Sequence, residues 1–521
     1  MVFMAIDERW RSLGEASTLL NLEGIEFREY QFNIIKSVIE HGNTLVVLPT
    51  GLGKTIIGAG ILANALSEGR KALFLAPTKP LAEQHYHSVS KLLALEQEKI
   101  LLLTGSISKA NRKAAESDSR VIIATPQTVA NDLRDGMLSL DEFGAVIFDE
   151  CHRAVGKYAY TYIANECMVR DILMVGLTAS PGGKKERVNA LVKALGIEHI
   201  EVRISTDRDV VKYVMPKNIH VVTVELSPRI KQIANIVRPE INEALNGLHK
   251  LGLFHFNNFD NIPKGRLIEL GNQIGRMPTN SYKYAAMFSY SKLLNLTHAY
   301  DLLVIEGIYP FSRYIESLYE KEEKSRTLES LLKSGNIITA RNLAREALRS
   351  GEEHPKVMMV LDLMRKFKGQ KVMLFAQYRS TIKMLVEYLN NNDFPARPFV
   401  GKKEGITQEQ QKQTIEDFRA GKFSVLVASS IGEEGIDIPG VDTVLFYEAI
   451  PNEIRNIQRR GRTGRFASGD IYMLVASGTK DQVYLHVSRM RELKMLDLLD
   501  NINRRLAAER SVGAGNQGTL I

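Results

Sequence analysis

The stretch VIFDECHRA, residues 146–154, is an apolar run that stops abruptly on two acids, a cysteine and a histidine. It could be the polar end of a buried strand, half of a metal site through Cys151 and His152, or a carboxylate pair, Asp149 and Glu150, for a catalytic magnesium. A zinc site needs about four ligands, commonly paired as C-x₂₋₄-C. The other cysteine is Cys167, too far along the chain for that pairing. A second stretch decides what remains. TLVVL (44–48) runs directly into PTGLGKT (49–55), and a helical IIGAGILANAL follows. A glycine-rich turn between strand and helix aims backbone N–H groups and the helix dipole at a phosphate. Thr50, Gly51, Leu52 and Gly53 would form that turn. Lys54 would reach the β- and γ-phosphates and the Thr55 hydroxyl would ligate Mg²⁺. A plain turn explains the two glycines, but not a lysine and a threonine at the helix start. Such a loop needs an acid on a neighbouring strand to hold Mg²⁺ and a second group to orient the attacking water. Asp149 and Glu150 supply both, in that order, so DECH reads as a Walker B element and the expected ligands are ATP and Mg²⁺.

Strands must deliver these loops. Continuous apolar runs recur at 44–48, 72–76, 100–103, 121–124, 145–148 and 172–177, separated by helix-length segments. Runs that do not alternate belong to strands covered on both faces, which predicts a parallel α/β sheet. The rhythm returns after residue 370, at 372–376, 397–400, 424–428, 443–447 and 471–475. Between the halves, over 229–350, apolar residues fall at three- and four-residue spacing and predict a helical insert. The expected division is 1–205, a connector at 206–228, the insert, a second α/β half at 351–505, and a structureless tail at 506–521.

With 521 residues, several cores are expected. A net charge of +8 permits a polyanionic partner without requiring one. No apolar stretch approaches the roughly 18 residues a membrane helix needs, so no membrane association is expected. The start, MVFMAIDERW, lacks a basic n-region, and two cysteines fit a reducing compartment; a cytoplasmic location is expected.

Taken together, these motifs resemble those of superfamily 2 helicases of the DEAD/DEAH group, closest to the archaeal Hef helicases and their eukaryotic relative FANCM. The resemblance implies two RecA-like lobes with the helical insert between them. REYQ (28–31) resembles the adenine-reading motif, with Gln31 bonding the base and Arg28 against its ring. APTKPLAEQ (76–84), TG (104–105) and ATPQTV (124–129) resemble motifs that grip a nucleic-acid backbone. They nominate Pro77, Thr78, Lys79, Gln84, Gly105, Thr125, Pro126 and Thr128. TAS (178–180) resembles the motif coupling hydrolysis to movement, through Thr178 and Ser180, and His152 would link the Mg²⁺ site to the opposite lobe. FAQYR (375–379), ASSIGEEGIDIP (428–439) and QRRGRTGR (458–465) resemble motifs IV, V and VI. Through them Gln377, Arg379 and Ser429 would touch nucleic acid, Asp437 would lie near the ribose and Gln458 would face the γ-phosphate. Arg462 and Arg465 would be arginine fingers. Cysteine stands in DECH where many relatives carry alanine, a position not expected to touch nucleotide.

The resemblance implies an ATP-dependent helicase or translocase on forked or branched DNA, moving 3′ to 5′ in fork repair and recombination. Hef proteins continue into a nuclease domain; no comparable acidic cluster follows motif VI here, so a nuclease domain or subunit would lie beyond this chain. Shared motifs leave a double-stranded-RNA-activated ATPase open. A non-catalytic scaffold usually loses residues that are present here, Lys54, Glu150, Arg462 and Arg465. In the insert, Lys264, Arg266, Arg276, Lys283 and Lys292 interleave with Tyr282, Tyr284, Phe288 and Tyr290. That pattern suits phosphates and unpaired bases, although aromatics at helical spacing are usually core. Trp10, His85, His87, His255 and His298 show no partner pattern, and an ordinary structural role is expected for them.

Overall fold

The computed structural model describes residues 13–21, 27–49, 51–105, 118–156, 158–204, 207–213, 219–256, 258–400, 407–429, 441–449 and 470–516. Within it, each continuous apolar run is a strand, with ends displaced by at most two residues. The first lobe holds β1 (Thr44–Val47), β2 (Lys71–Leu75), β3 (Ile100–Leu103), β4 (Val121–Ala124), β5 (Phe143–Asp149), β6 (Leu173–Thr178) and β7 (His199–Val202). All pair in parallel, in the order β3-β4-β2-β5-β6-β1-β7. Helices cover both faces, so side chains on either side of the sheet lie in core. Because every strand is parallel, every strand's carboxyl end lies on one rim of the sheet. The order also sorts that rim. The loops after β3, β4 and β2 are neighbours, and the loops after β5, β6 and β1 are neighbours.

The second lobe is a parallel sheet in the order β10-β11-β9-β12-β13-β8. It comprises β8 (Ile219–Val224), β9 (Val372–Phe375), β10 (Ala396–Phe399), β11 (Val425–Ala428), β12 (Thr443–Phe446) and β13 (Ile471–Ala476). β8 falls where the sequence predicts only a connector, yet it pairs with β13 along its whole length. It is an edge strand with Ile219 and Val221 exposed, so it lacks the near-continuous burial of the central strands. No helix among the described residues is long and apolar enough to cross a membrane.

The insert consists of helices Pro228–Lys250, Lys264–Arg276, Ser281–Asp301, Ile308–Tyr319, Arg326–Lys333 and Gly335–Arg349. The first begins at Ser227, whose hydroxyl oxygen accepts from the Ile230 N–H, with Pro228 where no intrahelical donor is lost. They close on their own apolar core, Ile233, Val237, Leu293, Leu303 and Phe311 among it. A polar hub fastens this bundle to the second lobe. The wide helical turn Leu302–Glu306 presents its carbonyls to that lobe. His354 Nε2 donates to Val304 O (3.2 Å), Lys356 Nζ to Ile305 O (3.1 Å) and Tyr447 Oη to Glu306 O (2.7 Å). Thr381 donates to the Glu306 carboxylate at 2.8 Å, and Lys356 pairs with Asp481 at 2.5 Å.

Asp481 opens the closing helix, Lys480–Asn516, which begins on the second lobe and ends on the first. Met495, Leu499, Ile502 and Leu506 lie in the first lobe's core, and Asn503 Oδ1 accepts from the Ile200 N–H of edge strand β7 (2.9 Å). The expectations of a second half ending at 505 and a structureless tail at 506–521 are therefore corrected: residues 506–516 are helical, held by an apolar stripe docked on the other lobe.

Removing one partner of a buried pair strands the other's charge, typically at about 3–5 kcal/mol. The Lys356 and Asp481 side chains are 0% and 1% exposed. Asp481→Ala should therefore lower unfolding stability by about that amount in urea titration, whereas exposed Asp500→Ala should change it little.

Candidate nucleotide and nucleic-acid site

The turn after β1 is built by glycine conformations and by a glutamine above it. Gly51 (φ 90°) and Gly53 (φ 80°) both take the left-handed region, and Gly53 caps the helix Lys54–Ser67. A Cβ on Gly53 would lie 2.2 Å from the Gln31 amide nitrogen, so glycine is needed for space as well as for φ. Gln31 Nε2 donates to Leu52 O (3.1 Å), Tyr30 Oη donates to the same carbonyl (2.7 Å), and Gln31 Oε1 accepts from the Arg28 N–H (2.9 Å). The Arg28 guanidinium lies 5.3 Å from the Tyr213 ring centroid. Gln31, expected to read adenine, thus also braces the glycine-rich turn, and the Arg28 backbone holds Gln31. Lys54 Nζ donates to Leu48 O at 3.3 Å, across the mouth of the turn. Thr50 lies outside the described residues.

Asp149 ends β5, buried, and the chain then turns sharply: Glu150 adopts φ 47°. Holding a side-chain-bearing residue there costs about 1–3 kcal/mol, a strain typical of functional turns. His152 Nδ1 lies 3.3 Å from a Glu150 carboxylate oxygen and 3.2 Å from the Thr178 hydroxyl at the end of β6. Thr178 Oγ1 accepts from the Ser180 N–H (3.1 Å), and the Ser180 hydroxyl donates to Met495 Sδ (3.1 Å) on the closing helix. DECH and TAS are therefore one hydrogen-bonded unit, continuous with the helix that reaches the other lobe. Cys151 points the other way. Its thiol is pushed well up by burial and by the Glu150 and Asp149 charges, and it packs against Gly176 and core.

On the other half of the rim, Pro77, Thr78, Lys79 and Gln84 follow β2, Gly105 follows β3, and Thr125, Pro126 and Thr128 follow β4. Lys79, Gln84 and Gly105 are exposed, while Thr125 and Thr128 share a hydroxyl contact of 2.9 Å. In the second lobe Gln377 and Arg379 follow β9 and Ser429 follows its neighbour β11. The Gln377 N–H donates to the Glu448 carboxylate. Ser429 is buried, and its N–H donates to Phe399 O of β10 at 3.0 Å. Asp437, Gln458, Arg462 and Arg465 lie outside the described residues.

The insert corrects two expectations. Lys292 is not available to phosphate: it is buried and paired with Glu240 (2.8 Å) and Glu243 (2.7 Å), because a buried ammonium needs carboxylates. Lys283 donates to the carbonyls of Gly275 and Met277, each at 2.9 Å, and so caps the helix Lys264–Arg276. Arg266 pairs with Glu269 at 3.0 Å, Arg276 is exposed, and the Lys264 side chain lies outside the described residues. The aromatics divide: Tyr284 is 63% and Phe288 39% exposed, whereas Tyr290 packs against the insert's apolar core.

Sequence reasoning missed His85. Its Nε2 lies 2.9 Å from Asp149 Oδ2 and its Nδ1 3.3 Å from Thr55 Oγ1, so it joins the two expected Mg²⁺ ligands. One signal was available: Ala82, His85, Val89 and Leu92 form the buried stripe of the helix Lys79–Leu92, and a histidine there must find partners inside. Tyr213, which holds Arg28, left no pattern. The Thr55 hydroxyl and Asp149 carboxylate are hard oxygen donors on facing elements, a set that suits Mg²⁺.

Comparison with known proteins agrees with this geometry. Residues 24–183 match the family model described as type III restriction enzyme, res subunit, and residues 355–467 match the helicase conserved C-terminal domain. The crystal structure of the Pyrococcus furiosus Hef helicase domain superposes with a TM-score of 0.75 at 38% identity, covering 90% of this chain and 100% of that one. A Methanocaldococcus jannaschii protein named as a putative ATP-dependent RNA helicase is 36% identical, over 94% of this chain and 63% of its own length. The ATP-dependent DNA helicase fml1 of Schizosaccharomyces pombe is 30% identical, over 88% of this chain and 58% of its own. The chain thus spans less than two thirds of these full-length relatives. It belongs to the superfamily 2 helicases, ATP-hydrolysing enzymes with two parallel-sheet lobes, and matches the Hef helicase domain within them.

Gly53→Ala should weaken nucleotide binding about tenfold or more, since its strain of about 1–3 kcal/mol falls on the phosphate turn. Titration with a fluorescent ATP analogue checks this, and unchanged affinity would contradict the tight fit against Gln31.

Proposed function

We propose that the chain is an ATP-dependent DNA helicase or translocase acting on forked or branched DNA, with 3′ to 5′ movement. The observation that carries the reading is the sorting of one sheet rim: nucleotide loops follow β5, β6 and β1, while candidate backbone-gripping loops follow β3, β4 and β2. Relatives named as DNA helicases support DNA as the substrate. Contacts to a backbone fix position without reading sequence, so little sequence preference is expected.

In this reading Lys54 holds the β- and γ-phosphates of ATP, and Gln31 and Arg28 hold the base. Thr55 and Asp149 would hold Mg²⁺, which when bound neutralises phosphate charge. Glu150 orients the attacking water and takes its proton. Arg462 and Arg465 would serve as arginine fingers, as the family resemblance implies; such arginines are worth about 10³–10⁵ in rate. Hydrolysis then reports on lobe closure, and the unit His152–Thr178–Ser180–Met495 supports a route from the site to the closing helix.

Substrate class is tested by ATP hydrolysis rates with single-stranded, duplex, forked and four-way DNA, and with duplex RNA. Greatest stimulation by forked or four-way DNA is expected, and greatest stimulation by duplex RNA would select the RNA-activated reading. Glu150→Gln should retain ATP binding and lose turnover by at least about 10², the lower range for general-base loss; normal hydrolysis would remove Glu150 from the mechanism. In the insert, reversing Arg266 and Arg276 to Glu should lower fork-DNA affinity and flatten its salt dependence. Tyr284→Ala should change unfolding stability by less than about 0.5 kcal/mol, as for exposed sites, while weakening fork binding. A large stability loss would return that ring to a structural role.

A further inference from the structure

We propose that His85 is the positioning residue of the magnesium site and ties it to the helix behind the first backbone-gripping loop; this rests on Thr55 and Asp149 being the cation's ligands. Both ring nitrogens end on those two side chains, which come from different elements: Nε2 at 2.9 Å from Asp149 Oδ2 and Nδ1 at 3.3 Å from Thr55 Oγ1. A histidine needed only for packing has no reason to meet both. The carboxylate accepts, so Nε2 carries a hydrogen; the neutral tautomer with that hydrogen leaves Nδ1 to accept from the Thr55 hydroxyl. A threonine whose hydrogen is committed in this way turns lone pairs elsewhere, which is what a hard cation takes. Asp149 Oδ2 is likewise fixed by Nε2–H, and this orients the carboxylate. Partners of this kind set the orientation of ligands they do not replace.

The ring itself cannot drift. It is 8% exposed and lies against Phe74 of β2 with centroids 4.5 Å apart. It sits on the buried stripe of the helix Lys79–Leu92, whose first residue and exposed Gln84 are candidate nucleic-acid contacts. Tyr160, fully buried, links the ends of β5 and β2: its hydroxyl donates to Asp149 O (2.7 Å) and lies 3.2 Å from Leu75 O. Any shift of that helix on binding a nucleic-acid backbone is therefore delivered to both cation ligands at once.

The test uses Mn²⁺ as probe, the full chain, and a non-hydrolysable ATP analogue, with free Mn²⁺ read by electron paramagnetic resonance. His85→Ala should weaken Mn²⁺ binding in the nucleotide complex by about 10- to 100-fold. Analogue affinity measured in EDTA should stay within about twofold, since no nucleotide contact is removed. In turnover, the Mg²⁺ concentration for half-maximal rate should rise far more than the rate at saturating Mg²⁺ falls. Mn²⁺ affinity within about twofold of wild type in His85→Ala overturns the proposal. If that variant does not fold, His85→Asn carries the test: its amide oxygen can replace Nδ1 but nothing reaches Asp149. A loss of roughly fivefold or more is then expected, and wild-type affinity overturns the proposal. Absence of nucleotide-dependent Mn²⁺ binding in the wild type would instead overturn the assignment of Thr55 and Asp149.

Discussion

A carboxylate buried at the end of a parallel strand must find hydrogen-bond donors or a cation, because leaving it bare is costly. Asp149 meets that constraint with His85, 2.9 Å away, and His85 passes it on to Thr55. The phosphate loop, the Walker B strand and the helix behind β2 are thus held in one register before any ligand arrives. Parallel pairing makes this possible by sending every loop to the same rim, and the strand order sets β2 beside β5 so that one ring can span the boundary. Gln31 and Tyr30 close the same loop from above through the Leu52 carbonyl.

Two further ties decide what can move. The insert is bound to the second lobe through buried polar bonds that join residues 304–306 to His354, Lys356 and Tyr447, with Asp481 paired to Lys356, and these are costly to break one at a time. Insert and second lobe therefore travel together. The closing helix starts in that hub and ends in the first lobe's core, where Met495 meets Ser180. Relative lobe motion has to be accommodated along that helix, whose middle, at Met495, touches the TAS segment.

Much of this was legible in the sequence, for a physical reason in each case. Strands buried on both faces read as continuous apolar runs, so two parallel sheets were visible; β7 and β8 were not, because edge strands that are only partly buried do not carry that mark. PTGLGKT and DECH stood out because a lysine and threonine at a strand-to-helix turn, and paired acids at a strand end, are the residue types that phosphate chemistry would demand. His85 was hidden because its partners lie 30 and 64 residues away, and a lone histidine carries no spacing signal. Lys292 misled for the converse reason. Charge and helical spacing place it with the basic residues, and only the fold reveals Glu240 and Glu243 around it.

The most direct measurement is the affinity of forked DNA for the intact chain without nucleotide, with ADP, and with a non-hydrolysable ATP analogue, all with Mg²⁺ at fixed salt. If the two halves of the rim are coupled, DNA affinity should differ between nucleotide states by roughly 5- to 150-fold, the usual range for linked sites, and DNA should change nucleotide affinity by the same factor. DNA affinity that is identical in all three states would contradict the coupling.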